Sequence, residues 1–83
     1  MAHGMLLASF LSPVMNRRTD AYGGDLDGQT RYPREVLAAV REAMGEAAII
    51  GIRIPGDEMV AHGIDPAEAQ AFAARLVATG AVD

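Results

Sequence analysis

Apolar residues recur along the chain with two different periods, and the switches between them mark the elements. Residues 5–11 form a mostly apolar run, broken at Ala8 and Ser9, that is too short to assign by period. After a polar stretch comes the turn Tyr22-Gly23-Gly24. Asp25 beyond it is placed to accept N–H bonds in a first helical turn, so a helix is predicted to begin near Leu26. Tyr32, Val36, Val40 and Met44 then repeat every four residues, with Leu37 beside them, as one apolar stripe opposite Arg34, Arg41 and Glu42. Gly45 supplies the stop. Gly28 and Pro33 oppose a smooth helix, since glycine costs about 1 kcal/mol relative to alanine and proline lacks an N–H; a kink or restart is predicted near Pro33.

At residues 47–55 the period changes to two. Ile50, Ile52 and Ile54 alternate with Gly51 and Arg53, which is the pattern of a strand with one β-branched face. A second helix is signalled by Asp65 as N-cap, Pro66 at the first helical position, Glu68 in a capping box and Gly80 as the stop, with Ala69, Phe72, Ala73 and Leu76 as its buried stripe. Ala81-Val82-Asp83 would open another strand. Helix, strand, helix and a further strand is an α/β pattern of repeated β/α units, whose parallel strands need right-handed crossovers and neighbours on both edges. The single complete strand has no evident partner, so the chain is expected to be a portion of a larger sheet.

Composition adds limits. At 83 residues there is room for one small domain at most, and 51% apolar with 22% charged residues is a globular balance. The net charge is −4, there is no lysine, and the seven arginines are scattered, which argues against a nucleic-acid or anionic-membrane surface. Without cysteine there is neither a disulfide nor a thiolate metal site. The N-terminal residues lack a basic region followed by a long apolar one, so no signal peptide and no membrane span is read and a cytoplasmic location is expected.

The segment Asn16-Arg17-Arg18-Thr19-Asp20-Ala21-Tyr22-Gly23-Gly24, preceded by Phe10-Leu11-Ser12-Pro13, resembles the Asn-Arg-Arg-Thr-Asp-Glu-Tyr-Gly-Gly signature of Old Yellow Enzyme-like NADH:flavin oxidoreductases. The likeness continues through residues 35–41, the strand at residues 50–54 and the helix before Gly80. It is closest to the branch of dienoyl-CoA reductases, trimethylamine dehydrogenase and N-methylproline demethylases. The resemblance implies a TIM (β/α)8 barrel, for which about 250 residues are typical. Residues 1–83 would be a partial barrel domain, with no complete domain boundary inside the chain: the connection after strand four, helix four, strand five and helix five.

By the same resemblance the cofactor is FMN, and the parent protein transfers a hydride between flavin and an enone or N-methylated amine. A nicotinamide nucleotide or other electron partner is implied. His3, in His3-Gly4-Met5-Leu6, matches the substrate-binding histidine that donates hydrogen bonds to an acceptor over the flavin. Met5 stands where many members carry a proton-donating tyrosine, and a thioether has no proton to give. Arg53 matches the arginine that sits beside the flavin and stabilises its negative charge. Gly56-Asp57-Glu58-Met59 is similar to the branch acting on N-methylated amino acids and betaines, whereas Asp25-Leu26-Asp27-Gly28-Gln29 departs from the usual Ser-Leu-Glu-Asn-Arg.

Plainer readings stand beside these. A histidine near a chain end is usually exposed, and an arginine on a strand is by default a salt-bridge partner. The Arg17-Arg18 pair more often bonds carbonyls and carboxylates such as Asp20 than a phosphate. His3, His62, Asp57 and Glu58 match no metal-ligand spacing. A non-catalytic β/α remnant that forms a homo-oligomer, or an FMN-binding pseudoenzyme, are the alternative readings of the whole.

Overall fold

The computed structural model describes residues 5–83, which hold three helices in order: α1 (Leu6–Leu11), α2 (Leu26–Met44) and α3 (Pro66–Val77). The short apolar run is thus helical, with the Ser9 N–H bonded to the Met5 carbonyl at 3.0 Å.

α2 starts where its cap places it. The Asp25 backbone is extended, and its Oδ1 accepts from the Gly28 N–H at 2.8 Å. It ends at Gly45, whose φ of 79° is open to glycine at little cost and whose N–H bonds the Arg41 carbonyl at 2.9 Å. The expected restart at Pro33 does not occur, and one helix runs through it. Pro33 removes the donor that would reach the Gln29 carbonyl. Burial of its ring offsets that loss, and Arg34 bonds the neighbouring carbonyls of Thr30 and Asp27 at 3.3 and 2.9 Å.

The core-facing stripe of α2 also differs from the predicted one. Gly28, Thr30, Pro33 and Leu37 are buried, whereas Val40 and Met44 are 38% and 61% exposed. Gly28 explains the rotation. A Cβ built on it would overlap the Gly23 carbonyl oxygen and lie 2.9 Å from the Gly23 nitrogen, so only glycine lets the first turn lie on the signature loop. The face that carries Gly28 is therefore the one turned inward.

That loop is a tight knot. Asn16 Nδ2 donates to the carbonyls of Phe10 and Tyr22 at 2.7 and 2.8 Å, and Arg18 pairs with Asp20 through both Nε and Nη2. Asp20 also accepts the Tyr22 N–H at 2.9 Å. Phe10, Tyr22 and Tyr32 form an aromatic cluster with centroids 4.8 to 6.5 Å apart. The Tyr22 hydroxyl reaches Glu35 on α2 at 3.0 Å. The stretch thus docks α1 and the following loop onto α2.

α3 starts at its cap, where Asp65 Oδ1 accepts the Glu68 N–H at 2.8 Å without the return bond from the Asp65 N–H to the Glu68 carboxylate that a capping box would add, and Ala69, Phe72 and Leu76 are buried, with Ala73 half-buried. The helix ends at Val77, and Gly80 takes φ 76° in the turn beyond. Its buried residues join two apolar clusters. Leu11, Ile64, Ala69 and Phe72 form one, Leu37, Ile50, Leu76 and Ala81 the other, and Ile54 packs against both. An ion pair between Arg75 and Asp27 ties α3 to α2.

The strand expected at residues 47–55 is absent among the described residues, and the α/β pattern is represented there by helices and irregular backbone. The reason is the missing ladder. A strand is a pairing state, and among the described residues the backbone-to-backbone bond this segment makes is from the Asp83 N–H to the Ile50 carbonyl at 2.9 Å. Burial still keeps the predicted period: Ile50 is buried, Ile52 and Ile54 half-buried, Gly51 and Arg53 exposed.

Arg41, expected on the solvated face, holds this corner together. Its side chain is 18% exposed and donates to the carbonyls of Ala81, Gly45 and Ala48 at 3.0, 3.1 and 2.8 Å and to Asp83 Oδ2 at 2.9 Å. The same carboxylate accepts the Ile50 N–H at 2.7 Å. That backbone bond, and then the guanidinium, hold the Asp83 carboxyl below its usual range.

Two outcomes follow. Gly28→Ala should destabilise the protein by about 1–3 kcal/mol in a denaturant titration, because overpacking at Gly23 outweighs the better helix propensity of alanine; a gain in stability would disprove the close contact. The carboxyls of Asp20, bonded by Arg18 and the Tyr22 N–H, and Asp83 both titrate below their ordinary value. The unfolded chain then binds protons first, so this stabilisation is full above the unfolded pKa of about 4 and is lost as pH falls through the lower folded values. Asp20→Asn and Asp83→Asn should each flatten the acid limb of a stability-versus-pH curve.

Candidate functional site

The side chains with chemistry to offer lie along residues 50–64, between the Arg41 corner and α3. The isoleucines of residues 50–54 turn toward the clusters made with α2 and α3, which leaves Gly51 and Arg53 exposed between them. Arginine bonding separates structural from available cations. Arg18 pairs with Asp20, Arg31 bonds the Ala21 carbonyl at 2.7 Å, Arg34 bonds carbonyls of its own helix, Arg41 holds the corner, and Arg75 pairs with Asp27. Among the described residues, only Arg17 and Arg53 are left without such a partner. Arg53 therefore has a guanidinium fork free for an anionic or carbonyl-bearing ligand, and Gly51 beside it leaves space for close approach.

The loop after this segment is ordered by its own acids. Asp57 Oδ1 accepts the Met59 N–H at 2.8 Å, while Glu58 accepts the Ile64 N–H through Oε1 at 2.7 Å. Met59 and His62 hold φ values of 60° and 62°. Asp57 and Glu58 thus serve the backbone, and among the described residues no three His, Asp or Glu side chains converge as a metal site.

His3 lies outside the described residues, so its position relative to Arg53 is not part of this geometry. Met5 is described; it is 63% exposed and its side chain makes no cap bond to α1. The Arg17-Arg18 pair is divided, with Arg18 satisfied by Asp20 and stacked 5.9 Å from the Phe10 ring centre. That pairing raises the Arg18 pKa, and the bond to Glu35 raises that of the Tyr22 hydroxyl. A shallow depression lined by Ser9, Phe10, Met15, Asn16 and Arg18 borders this pair rather than Arg53. The left-handed Met59 escaped sequence reasoning because methionine is not among the residues that favour that conformation.

No helix among the described residues is long and apolar enough to cross a membrane. Residues 1–83 match the profile of the NADH:flavin oxidoreductase / NADH oxidase family. The chain is 42% identical over 77 residues to a metal reductase of Desulforamulus reducens, covering 93% of this chain and 12% of the relative. It is 39% identical over 79 residues to an NADH oxidase of Thermoanaerobacter brockii, covering 95% and 12%. An N,N-dimethylglycine/sarcosine dehydrogenase of Chromohalobacter salexigens is 40% identical over 81 residues, covering 98% and 12%. The chain spans about an eighth of the length of these relatives. With all 83 residues matched by the family profile, and the signature loop built as a single bonded knot, the chain belongs to the NADH:flavin oxidoreductase / NADH oxidase family.

Proposed function

We propose that this chain is the portion of a TIM barrel that runs from the connection after strand four through helix five in an FMN-dependent oxidoreductase. Here α2 is helix four, residues 47–55 are strand five and α3 is helix five. Family membership supports the barrel, and the burial period of residues 50–54 supports the placement: the isoleucine face meets the helices and the Arg53 face is left for the barrel interior. The two missing neighbours of strand five would come from the rest of the barrel.

The observation that carries the reading is the unpaired Arg53. A permanently charged fork beside a glycine, at the end of the segment where TIM barrels build their sites, fits the pyrimidine edge of a flavin. FMN, when bound, supplies the ring that exchanges a hydride with the substrate. Arg53 holds positive charge where the reduced ring gains negative charge, and does so without reorganising. His3 is proposed to orient the substrate by donating hydrogen bonds to its acceptor group. Met5 cannot protonate a carbanion, which favours oxidation of an N-methylated amine or amino acid over reduction of an enone. The dehydrogenase of dimethylglycine and sarcosine among the relatives supports the same substrate class. A nicotinamide nucleotide is the proposed electron partner, in keeping with the family's description. With most flavin contacts residing on other strands, the 83-residue segment alone is proposed to be inactive.

Arg53→Ala in the full-length flavoprotein should weaken FMN binding by about 10- to 100-fold, as expected for loss of a charge-assisted hydrogen bond, with Arg53→Lys falling between. Flavin retained at wild-type affinity by Arg53→Ala would remove Arg53 from the cofactor site.

A further inference from the structure

The isoleucines at 50, 52 and 54 decide which face of their segment turns inward, but not how far along the chain that face sits. A slip of one residue would turn Gly51 and Arg53 toward α2 and α3 and lose the burial of all three isoleucines. A slip of two puts one isoleucine in the place of another and keeps the apolar face. Ladder bonds do not separate the two registers, because they repeat along a strand. Yet that slip carries Arg53 about 6–7 Å along the segment, at about 3.3 Å per residue, which is out of hydrogen-bond reach of a ligand it had met before. The register has to be set by contacts that do not repeat.

The Arg41 corner supplies them. Arg41 Nη1 donates to the Gly45 carbonyl at 3.1 Å and to the Ala48 carbonyl at 2.8 Å. One fork thus holds both ends of the turn between α2 and the isoleucines, so the connection to Ile50 has one length. Feeding two residues into that turn, or drawing two out, breaks the clasp. The same guanidinium donates to the Ala81 carbonyl at 3.0 Å and to Asp83 Oδ2 at 2.9 Å. Asp83 in turn takes both backbone groups of Ile50: Oδ2 accepts its N–H at 2.7 Å, and the Asp83 N–H donates to its carbonyl at 2.9 Å. Ile50 is the isoleucine buried with Leu37, Leu76 and Ala81.

We propose that Arg41 and Asp83 are a positioning pair that sets the register of strand five and, through it, the height at which Arg53 meets the flavin. The inference rests on the placement of Arg53 beside the flavin. Both charges lie at the N-terminal end of that strand, away from the face where a barrel builds its site, so their effect on the cofactor passes through Arg53.

The test is a double-mutant cycle in the full-length flavoprotein, stripped of flavin and titrated with FMN, with Kd read from the quenching of FMN fluorescence. Arg41→Met should weaken FMN binding by about tenfold, the lower end of what losing a charge-assisted hydrogen bond costs, and should have no further effect in an Arg53→Ala background. Asp83→Asn keeps an acceptor for the Ile50 N–H and removes the charge that Arg41 pairs with. It should weaken binding less and lose its effect in the same background, and it carries the test where Arg41→Met gives no folded protein. A loss of equal size in both backgrounds, or none in either, overturns the proposal, since either makes the corner a matter of stability alone. Arg53→Ala that binds FMN as tightly as the parent overturns the reading of Arg53 itself and leaves the pair nothing to position.

Discussion

One guanidinium gathers the C-terminal half of this chain. Arg41 donates to backbone carbonyls before and after the isoleucine segment and to Asp83, so the end of α2, residues 45–50 and residues 81–83 converge on a single planar fork. Carbonyls left over at a helix end need donors, and an isolated strand-like segment has no ladder to supply them. Arginine meets both needs because it carries five donors in a fixed plane and stays charged. With that corner held, Ile50 and Ala81 enter the cluster with Leu37 and Leu76, and the alternation that exposes Arg53 is fixed.

At the other end of α2 the same purpose is served by the absence of side chains. Gly23 and Gly28 let a loop backbone and a helix backbone touch, which sets the rotation of the helix about its axis. Asn16 and Asp20 then bond the carbonyls of Phe10 and Tyr22 and the Tyr22 N–H, and α2 adds Glu35 on the Tyr22 hydroxyl and Arg31 on the Ala21 carbonyl. The family signature is therefore chiefly an instruction for docking α2, and the residues proposed to meet the flavin and substrate lie elsewhere. Structure and chemistry occupy separate stretches: the signature positions the helix, the helix positions the isoleucine face, and the opposite face is left to Arg53.

Signals of short range were legible in the sequence. Asp25, Gly45, Asp65 and Pro66 act on backbone groups within one turn, and each does in the structure what its position announced. The period-two burial of residues 50–54 and the stripe of α3 were equally plain, because side-chain direction follows from local backbone geometry. The family, too, was readable, since a long contiguous signature is information that needs no three-dimensional arrangement.

What the sequence alone determined, then, is where elements begin and end, which residues alternate and which family the chain belongs to. The tertiary structure decided which way α2 faces, that Arg41 is a half-buried organiser rather than a solvated charge, and that the segment of residues 47–55 keeps its strand-like burial without a strand's hydrogen bonds. It also decided which arginines remain free and that Met59 is held in a left-handed conformation. Each of these depends on partners distant in sequence: Gly23 for Gly28, Ala81 and Asp83 for Arg41, Ile64 for Glu58. Capping and periodicity are properties of neighbours along the chain, whereas rotation, pairing and the availability of a charge are properties of neighbours in space.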